Sequence, residues 1–519
     1  MRIGIDVGGT HTDAVLLHGN DVVASTKALT TADVTSGILD ALEKVLSDGD
    51  ADSIEAVMLG TTQFTNAVVQ RRELSEVAAI RVGLPSGDGL PPKTGWPEDI
   101  RRSLGDHTYM MRGGYLYDGR PLAGLDHAEV DAVVRELKHK RIGAVAISSA
   151  FSPMIPGPEN QIADRIRAEI PDIRMTQSHK IGRLGLLERE NAALLNSALL
   201  EFADRIVDSF ARALVEQGLK CQFFVSQNDG TLMDAEFVRN FPALTFASGP
   251  TNSIRGACRL SGLDNAIVVD IGGTTSDIGI LQDGYPRESN VVIEVGGVRT
   301  NFRMPDILSI GLGGGSLVTE RGRQIGPQSV GHRLVEEGLV FGGQTLTATD
   351  LIVGAGRAEI GDPERVASLD RDTIANGTAT ILEMLNRGVE RMKPSSQPLP
   401  MVLVGGGAIL VTEKLRAASE MLCPEHSGVA NAIGAAIAQI GGEAERLVSY
   451  RNQAREEAID QVTREAVALA QAAGADTATI KVADIEETSI SYMDEGSTKL
   501  RIKAVGEIAA LTHHDGERS

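Results

Sequence analysis

Two stretches of this chain carry the same residue types in the same order. Residues 3–17 read IGIDVGGTHTDAVLL and residues 267–281 read IVVDIGGTTSDIGIL. The offset is constant at 264: Asp6 matches Asp270, Gly8 and Gly9 match Gly272 and Gly273, Thr10 matches Thr274, and Asp13 matches Asp277. Each copy is an apolar run, an Asp, a Gly-Gly-Thr and a second apolar run, the pattern of a β-hairpin with a glycine-rich turn. Consecutive glycines let backbone N–H groups point at an anion without a Cβ in the way, and a Thr hydroxyl adds a donor. Gly8, Gly9, Thr10 and Thr12, with Gly272, Gly273, Thr274 and Thr275, are therefore expected to hold the phosphates of a nucleotide. An Asp at the end of the leading strand cannot bind phosphate itself but can hold Mg²⁺, usually through water. Asp6 and Asp270 are the expected metal-associated carboxylates. Asp13 and Asp277 lie on the returning strands. Each can serve as a general base near the terminal phosphate or simply cap its own turn. His11 sits between phosphate-loop threonines, where it can reach substrate or phosphate or merely pack.

A third glycine loop, Gly405-Gly406-Gly407, follows the apolar run Met401–Val404. Glycines at a strand end let a flat adenosine or its ribose lie on the backbone. After it comes Gly428–Ala436, a helix of small residues suited to close packing at a hinge. These motifs need strands to present them and helices to back them. The sequence predicts a helix over 127–139 behind the cap signal Asp126-His127-Ala128-Glu129, followed by a buried strand at Ile142–Ile147. Pro85 to Asp118 reads as an irregular, substrate-side insertion. A helix is expected over 443–473, with Leu447, Ala458, Val462, Ala466 and Leu469 on one face. Strands are expected at Thr479–Val482, Ile490–Tyr492 and Leu500–Ala504, then a polar tail.

Composition narrows the classes. At about 150 residues per domain, 519 residues suggest three domains. With 42% hydrophobic residues the chain can bury large cores. A net charge of -20 argues against nucleic acid or an anionic membrane as partner, since both call for a basic surface. The three cysteines, Cys221, Cys258 and Cys423, show no metal or disulfide spacing. No apolar run approaches membrane length and no leader pattern precedes the first strand, so a cytoplasmic location is expected.

The order phosphate loop, phosphate loop, adenosine loop, small-residue helix resembles the actin, sugar-kinase and Hsp70 superfamily. That implies an α/β fold with two RNase H-like domains around a nucleotide cleft, plus a small C-terminal α+β extension. The boundaries read from the sequence are 1–190, 191–440 and 441–519. Further segments resemble the hydantoinase/oxoprolinase family, in particular subunits like hydantoin utilization protein A. They are Gly60-Thr61-Thr62-Gln63-Phe64-Thr65-Asn66-Ala67, Glu188–Asn191 with Asn196-Ser197-Ala198, Ser226–Gly230, Ser248-Gly249-Pro250, Gly313–Ser316 and Thr347–Asp350. The resemblance implies ATP and Mg²⁺ as cofactors and ATP-dependent opening of a cyclic amide such as a hydantoin, 5-oxoproline or another lactam. Thr61 and Asn66, with His11, become expected substrate contacts. It also implies a second, larger subunit, no sign of which lies in these residues, and assembly into a homo- or hetero-oligomer. Relatives in ketone carboxylation offer an alternative, as does a regulatory ATPase of the Hsp70 type. The chain departs from the family pattern at His11, where a Phe is usual, and after Gly326-Pro327, where a PGPACYG-like stretch is missing.

Overall fold

The computed structural model describes residues 1–8, 11–19, 21–29, 34–46, 51–289, 292–490 and 497–509. Each half of the repeat forms the expected hairpin. β1 (Arg2–Val7) pairs antiparallel with β2 (His11–His18), placing Asp6 opposite Asp13. β11 (Ala266–Ile271) pairs with β12 (Ser276–Gln282), placing Asp270 opposite Asp277. The registers agree pair for pair at the sequence offset. Both leading strands are buried apolar runs, as strands covered on two faces must be.

Each hairpin seeds a sheet. The first sheet has the order β22-β23-β21-β10-β9-β4-β1-β2-β3. Its remaining strands are β3 (Asp21–Leu29), β4 (Ala56–Thr61), β9 (Gln222–Ser226), β10 (Thr231–Asp234), β21 (Gln439–Ser449), β22 (Lys481–Ser489) and β23 (Ser497–Gly506). The second has the order β13-β12-β11-β19-β20, with β16 paired to β12; its added strands are β13 (Tyr285–Pro286), β16 (Ile307–Ile310), β19 (Leu399–Val404) and β20 (Ala418–Leu422). A third, wholly parallel sheet, β6-β5-β7-β8, is built from β5 (Val77–Leu84), β6 (Thr108–Arg112), β7 (Ala144–Ser149) and β8 (Arg174–Gln177). Two ribbons complete the strands: β14 (Ile293–Val295) with β15 (Val298–Thr300), and β17 (Ser316–Thr319) with β18 (Gln324–Ser329).

Helices fill the spaces between and around the sheets. α1 (Val34–Leu46) backs β2 and β3, and α2 (Gln63–Gln70) leaves the end of β4. α3 (Glu98–Ser103) lies in the segment expected to be irregular. α4 (His127–Lys140), with the Asp126 side chain accepting the Ala128 N–H, packs with α5 (Gly157–Glu169) beside the third sheet. The 31-residue α6 (Leu186–Glu216) runs under β7 and β8. Arg189 donates to Ser178, Arg183 O and Ser149 O, and Glu190 pairs with the buried Arg81. α7 (Ala235–Asn240), α9 (Leu334–Glu337), α10 (Ala348–Gly354) and α11 (Arg371–Met392) follow, the last two covering the second sheet's apolar core.

α8 (Ser248–Ser261) packs on the second sheet and α12 (Ala430–Ala436) on β1, β2 and β4 of the first. The two helices cross between the lobes. A Cβ at Gly256 or at Gly434 would lie 1.9 Å from a carbonyl oxygen of the other helix. Only glycine permits that backbone approach.

The sequence boundaries at 190 and 440 do not follow the sheets. β9 and β10 belong to the first sheet, and so do β21–β23, so the C-terminal region widens the first lobe and is not a separate meander. The expected helix over 443–473 divides: Leu447 lies in β21, and α13 begins at Arg455 and ends at Ala472. Ala458, Val462 and Ala466 do face the core, but Leu469 is exposed. β21 alternates buried Ile440, Gly442 and Ala444 with less buried neighbours, the two-residue period of a strand. The strand expected at Ile490–Tyr492 and the polar tail extend outside the described residues.

Candidate functional site between the two hairpins

The hairpin ends meet where the lobes face each other. Both turns close the same way: the Gly8 N–H donates to His11 O at 3.0 Å and the Gly272 N–H to Thr275 O at 2.9 Å. Thr274 and Thr275 are exposed at the second turn, whereas Thr12 is buried in the first. Gly9 and Thr10 lie outside the described residues. The second turn is buttressed from below by the Gly313–Ser316 loop, where Gly314 N–H donates to Gly272 O and Gly315 N–H to Gly273 O. Gly405 packs against the end of β11: at φ +83 its Cβ position would lie 2.3 Å from Asp270 Oδ1. Gly407 donates to Ile271 O at 2.7 Å, and Gly406 faces open space.

The acids converge. Asp6 is 3% exposed, and its pKa rises to about 7 through burial and through the charges of Asp13 and Asp270. Asp270 is also raised, by burial and by Asp13, against a hydrogen bond from Ser253. Asp277 is pushed up to about 6 by burial and by Asp270, against the hydrogen bond that Ser309 donates to it. Asp13 is held in an ion pair by Lys27, its cross-strand partner on β3, at 2.6 Å. His11, at the start of β2, has its pKa lowered by burial and by Lys27.

Asp6 accepts from Asn431 Nδ2 of α12 at 2.7 Å through one oxygen, while the other, Oδ1, is buried without a partner. Asn252 of α8 is fully buried with both amide atoms unpartnered. Asp6 Oδ1 and Asn252 Nδ2 flank Gly60, whose Cβ would lie 2.3 and 2.6 Å from them. Orphaned buried acceptors beside mutually repelling carboxylates are the setting for a cation with its water. Among the described residues no three His, Cys, Asp or Glu side chains form a direct ligand set, and an ion held here would keep part of its water, as Mg²⁺ does.

The expected substrate contacts are partly committed elsewhere. Thr61 is buried; its backbone and hydroxyl are bonded to Ser248 and to the Gln63 N–H. Asn66, on the first turn of α2, donates to Thr62 Oγ1 at 3.4 Å. Lys27, Asn252, Ser253, Ser309 and Asn431 were not legible as site residues. Asn431 alone had a signal, as the single polar residue within the run of small residues from Val429 to Ala436. The others depend on strand register or helix crossing.

The fold and the paired hairpins define an actin-like α/β architecture. The chain matches the hydantoinase/oxoprolinase N-terminal region over residues 2–170 and the hydantoinase/oxoprolinase domain over residues 189–390, and it belongs to that family. It is 25% identical over 480 residues to caprolactamase subunit alpha of Pseudomonas jessenii, covering 81% of this chain and 67% of that one. It is 25% identical over 398 residues to the acetophenone carboxylase gamma subunit of Aromatoleum aromaticum, covering 68% and 53%. The chain thus spans between about half and two thirds of these relatives' length. The ATP-dependent caprolactamase structure from P. jessenii superposes with a TM-score of 0.78 at 18% identity, covering 98% of this chain and 88% of that one. The nucleotide-free acetone carboxylase structure superposes with a TM-score of 0.68 at 17% identity, with the same coverage of each. No helix among the described residues is long and apolar enough to cross a membrane.

Proposed function

We propose that this chain is the ATP-using subunit of an enzyme that opens a cyclic amide. The observation that carries the reading is the pair of hairpins in identical register, which bring Asp6, Asp13 and Asp270 into mutual electrostatic contact. Its similarity to a caprolactamase subunit supports the substrate class.

In this reading the two glycine turns take the phosphates, and Gly406 offers backbone to the adenosine. Asp6 and Asp270 would hold Mg²⁺ through its water, Asp6 through the unpartnered Oδ1. Bound there, the ion would neutralise charge on the phosphate oxygens. Phosphoryl transfer needs positioning and charge compensation more than covalent help from the protein. The γ-phosphoryl group passes to the amide oxygen. ADP leaves, water adds to the activated ring carbon, and the nitrogen takes a proton as the C–N bond breaks; the acyl phosphate so formed is hydrolysed by a second water to the carboxylate and phosphate. Asp277, with a pKa near 6, suits proton acceptance close to neutral pH, whereas Asp13 is engaged by Lys27. His11 stays neutral under its depressed pKa and faces substrate as a hydrogen-bonding group. The ring-opening reaction itself draws on a second subunit.

A screen of lactams, hydantoins and ketones for substrate-stimulated ADP release tests this, run with the partner subunit present and absent and with and without bicarbonate. Ring-opened product without bicarbonate supports the reading. Dependence on bicarbonate with a ketone would transfer the chain to the carboxylase reading, which the acetophenone carboxylase relative favours. ATP turnover that no small molecule stimulates would point to a regulatory ATPase.

A further inference from the structure

We propose that residues 292–304 form an inter-lobe strap that sets Asp277 from the first lobe, with Ser309 as the positioning residue at its end. The inference rests on the reading of Asp277 as the base of the site. The strap leaves the second sheet after β13 and returns to it at β16, but between those points it is part of the first lobe. Val295, Val298, Phe302 and Met304 are buried in the first lobe's main apolar core, not in the second lobe's. Phe302 meets Phe246 edge to face at 5.4 Å. Two side chains of the first lobe grip its backbone, Arg71 Nη2 donating to Gly296 O at 2.7 Å and Asn191 Nδ2 to Arg299 O at 2.9 Å, and the strap's Asn301 Nδ2 donates back to Arg183 O at 3.1 Å. Arg303 then pairs with Glu443 and Glu445 on β21.

Only Met304, Pro305 and Asp306 separate Arg303 from β16. There Ser309 lies opposite Asp277 and donates its hydroxyl to the Asp277 carboxylate. The chain continues through Leu312, whose carbonyl accepts from Ser276 Oγ at 2.6 Å, into the Gly313–Ser316 loop beneath the second phosphate turn. One segment thus has its head in the first lobe's core and its tail under the second lobe's catalytic hairpin. Close-packed cores do not deform continuously, so a shift of the first lobe is carried along such a segment and not absorbed by it. Substrate or partner binding on the first lobe would act on Asp277 without touching it.

The test uses the full chain. Arg303→Ala frees the anchor next to β16. Amide exchange should rise about tenfold in peptides covering 276–282 and 307–316, with the equivalent first hairpin at 2–17 changed less than about twofold. Unchanged protection at 276–282, or equal loosening of both hairpins, overturns the strap. If Arg303→Ala does not fold, Glu443→Gln weakens the same anchor and is read the same way. In nucleotide turnover, Ser309→Ala should lower kcat about tenfold with KM for ATP within about twofold, and Ser309→Thr should recover most of it. The double variant Arg303→Ala/Ser309→Ala should be no slower than Ser309→Ala, because both act through one carboxylate. Wild-type kcat in Ser309→Ala, or multiplying losses in the double variant, overturns the proposal. A wild-type chain that binds no nucleotide by calorimetry would sink the functional reading, while the exchange result still decides the strap.

Discussion

Asp270 lies at the end of β11 with Ser253 donating to one oxygen and Gly405 packed against the other, so Asp270→Ala removes the charge and one hydrogen bond while leaving the apolar packing of β11 in place. The variant should fold and lose about tenfold or more in Mg·ATP affinity or turnover. Wild-type binding in a titration calorimeter would move the site elsewhere. Gly273→Val should block phosphate approach by placing a branched side chain in the turn. A different charge, Asp229, governs stability. It is buried, which raises its pKa, but Lys503 at 2.7 Å and hydrogen bonds from Thr231 outweigh burial and hold it well below the usual carboxylate range. A depressed folded pKa adds stability above the unfolded value near 3.8 and loses it as pH falls toward the folded one. Lys503→Met should therefore cost about 3 kcal/mol at neutral pH, and its unfolding midpoint should converge on wild type as pH drops below about 4. A gap that stays constant down to acid pH would mean the pair is not what stabilises this edge.

Helices α8 and α12 hold the lobes at one crossing, and the crossing exists because glycine stands at both contacts. Gly434→Ala should cost about 3 kcal/mol or more, since its Cβ meets the Asn252 carbonyl and neither backbone can yield cheaply. A thermal midpoint within a degree or two of wild type would show the helices parting easily. The same crossing delivers Asn431 to Asp6 and Ser253 to Asp270, so each lobe carries the hydrogen bond that orients its own carboxylate. Asn252 differs, since its amide lies on α8 but beside Gly60 of the first lobe.

Across the whole molecule, the proposed grip of two lobes on one nucleotide would call for closure about α8 and α12, but the strap at 292–304 is a second tie between them. Closure should therefore be small, and X-ray scattering with and without Mg·ATP should show a modest fall in radius of gyration. Identical profiles would leave a preformed site. The proposed reliance on a partner is tested with the purified chain, which should bind ATP yet open lactams slowly or not at all. Robust ring-opened product by mass spectrometry from the isolated chain would remove that requirement.

The hairpins, their register and their acids were legible because the chemistry is local: an Asp, two glycines and alternating apolar runs repeat within fifteen residues. The helix at His127–Lys140 was legible for the same reason, through its cap. Leu447 misled because eleven residues, the gap to Ala458, make about three helical turns, while the strand period it obeys became visible only beside β10 and β23. That β21–β23 join the first sheet, that Lys27 faces Asp13, and that Asn431 caps Asp6 from 425 residues away could be decided only by the folded chain. A sequence pattern states that a face is buried or an edge is open; which distant segment covers it is set by packing, and packing belongs to the tertiary structure.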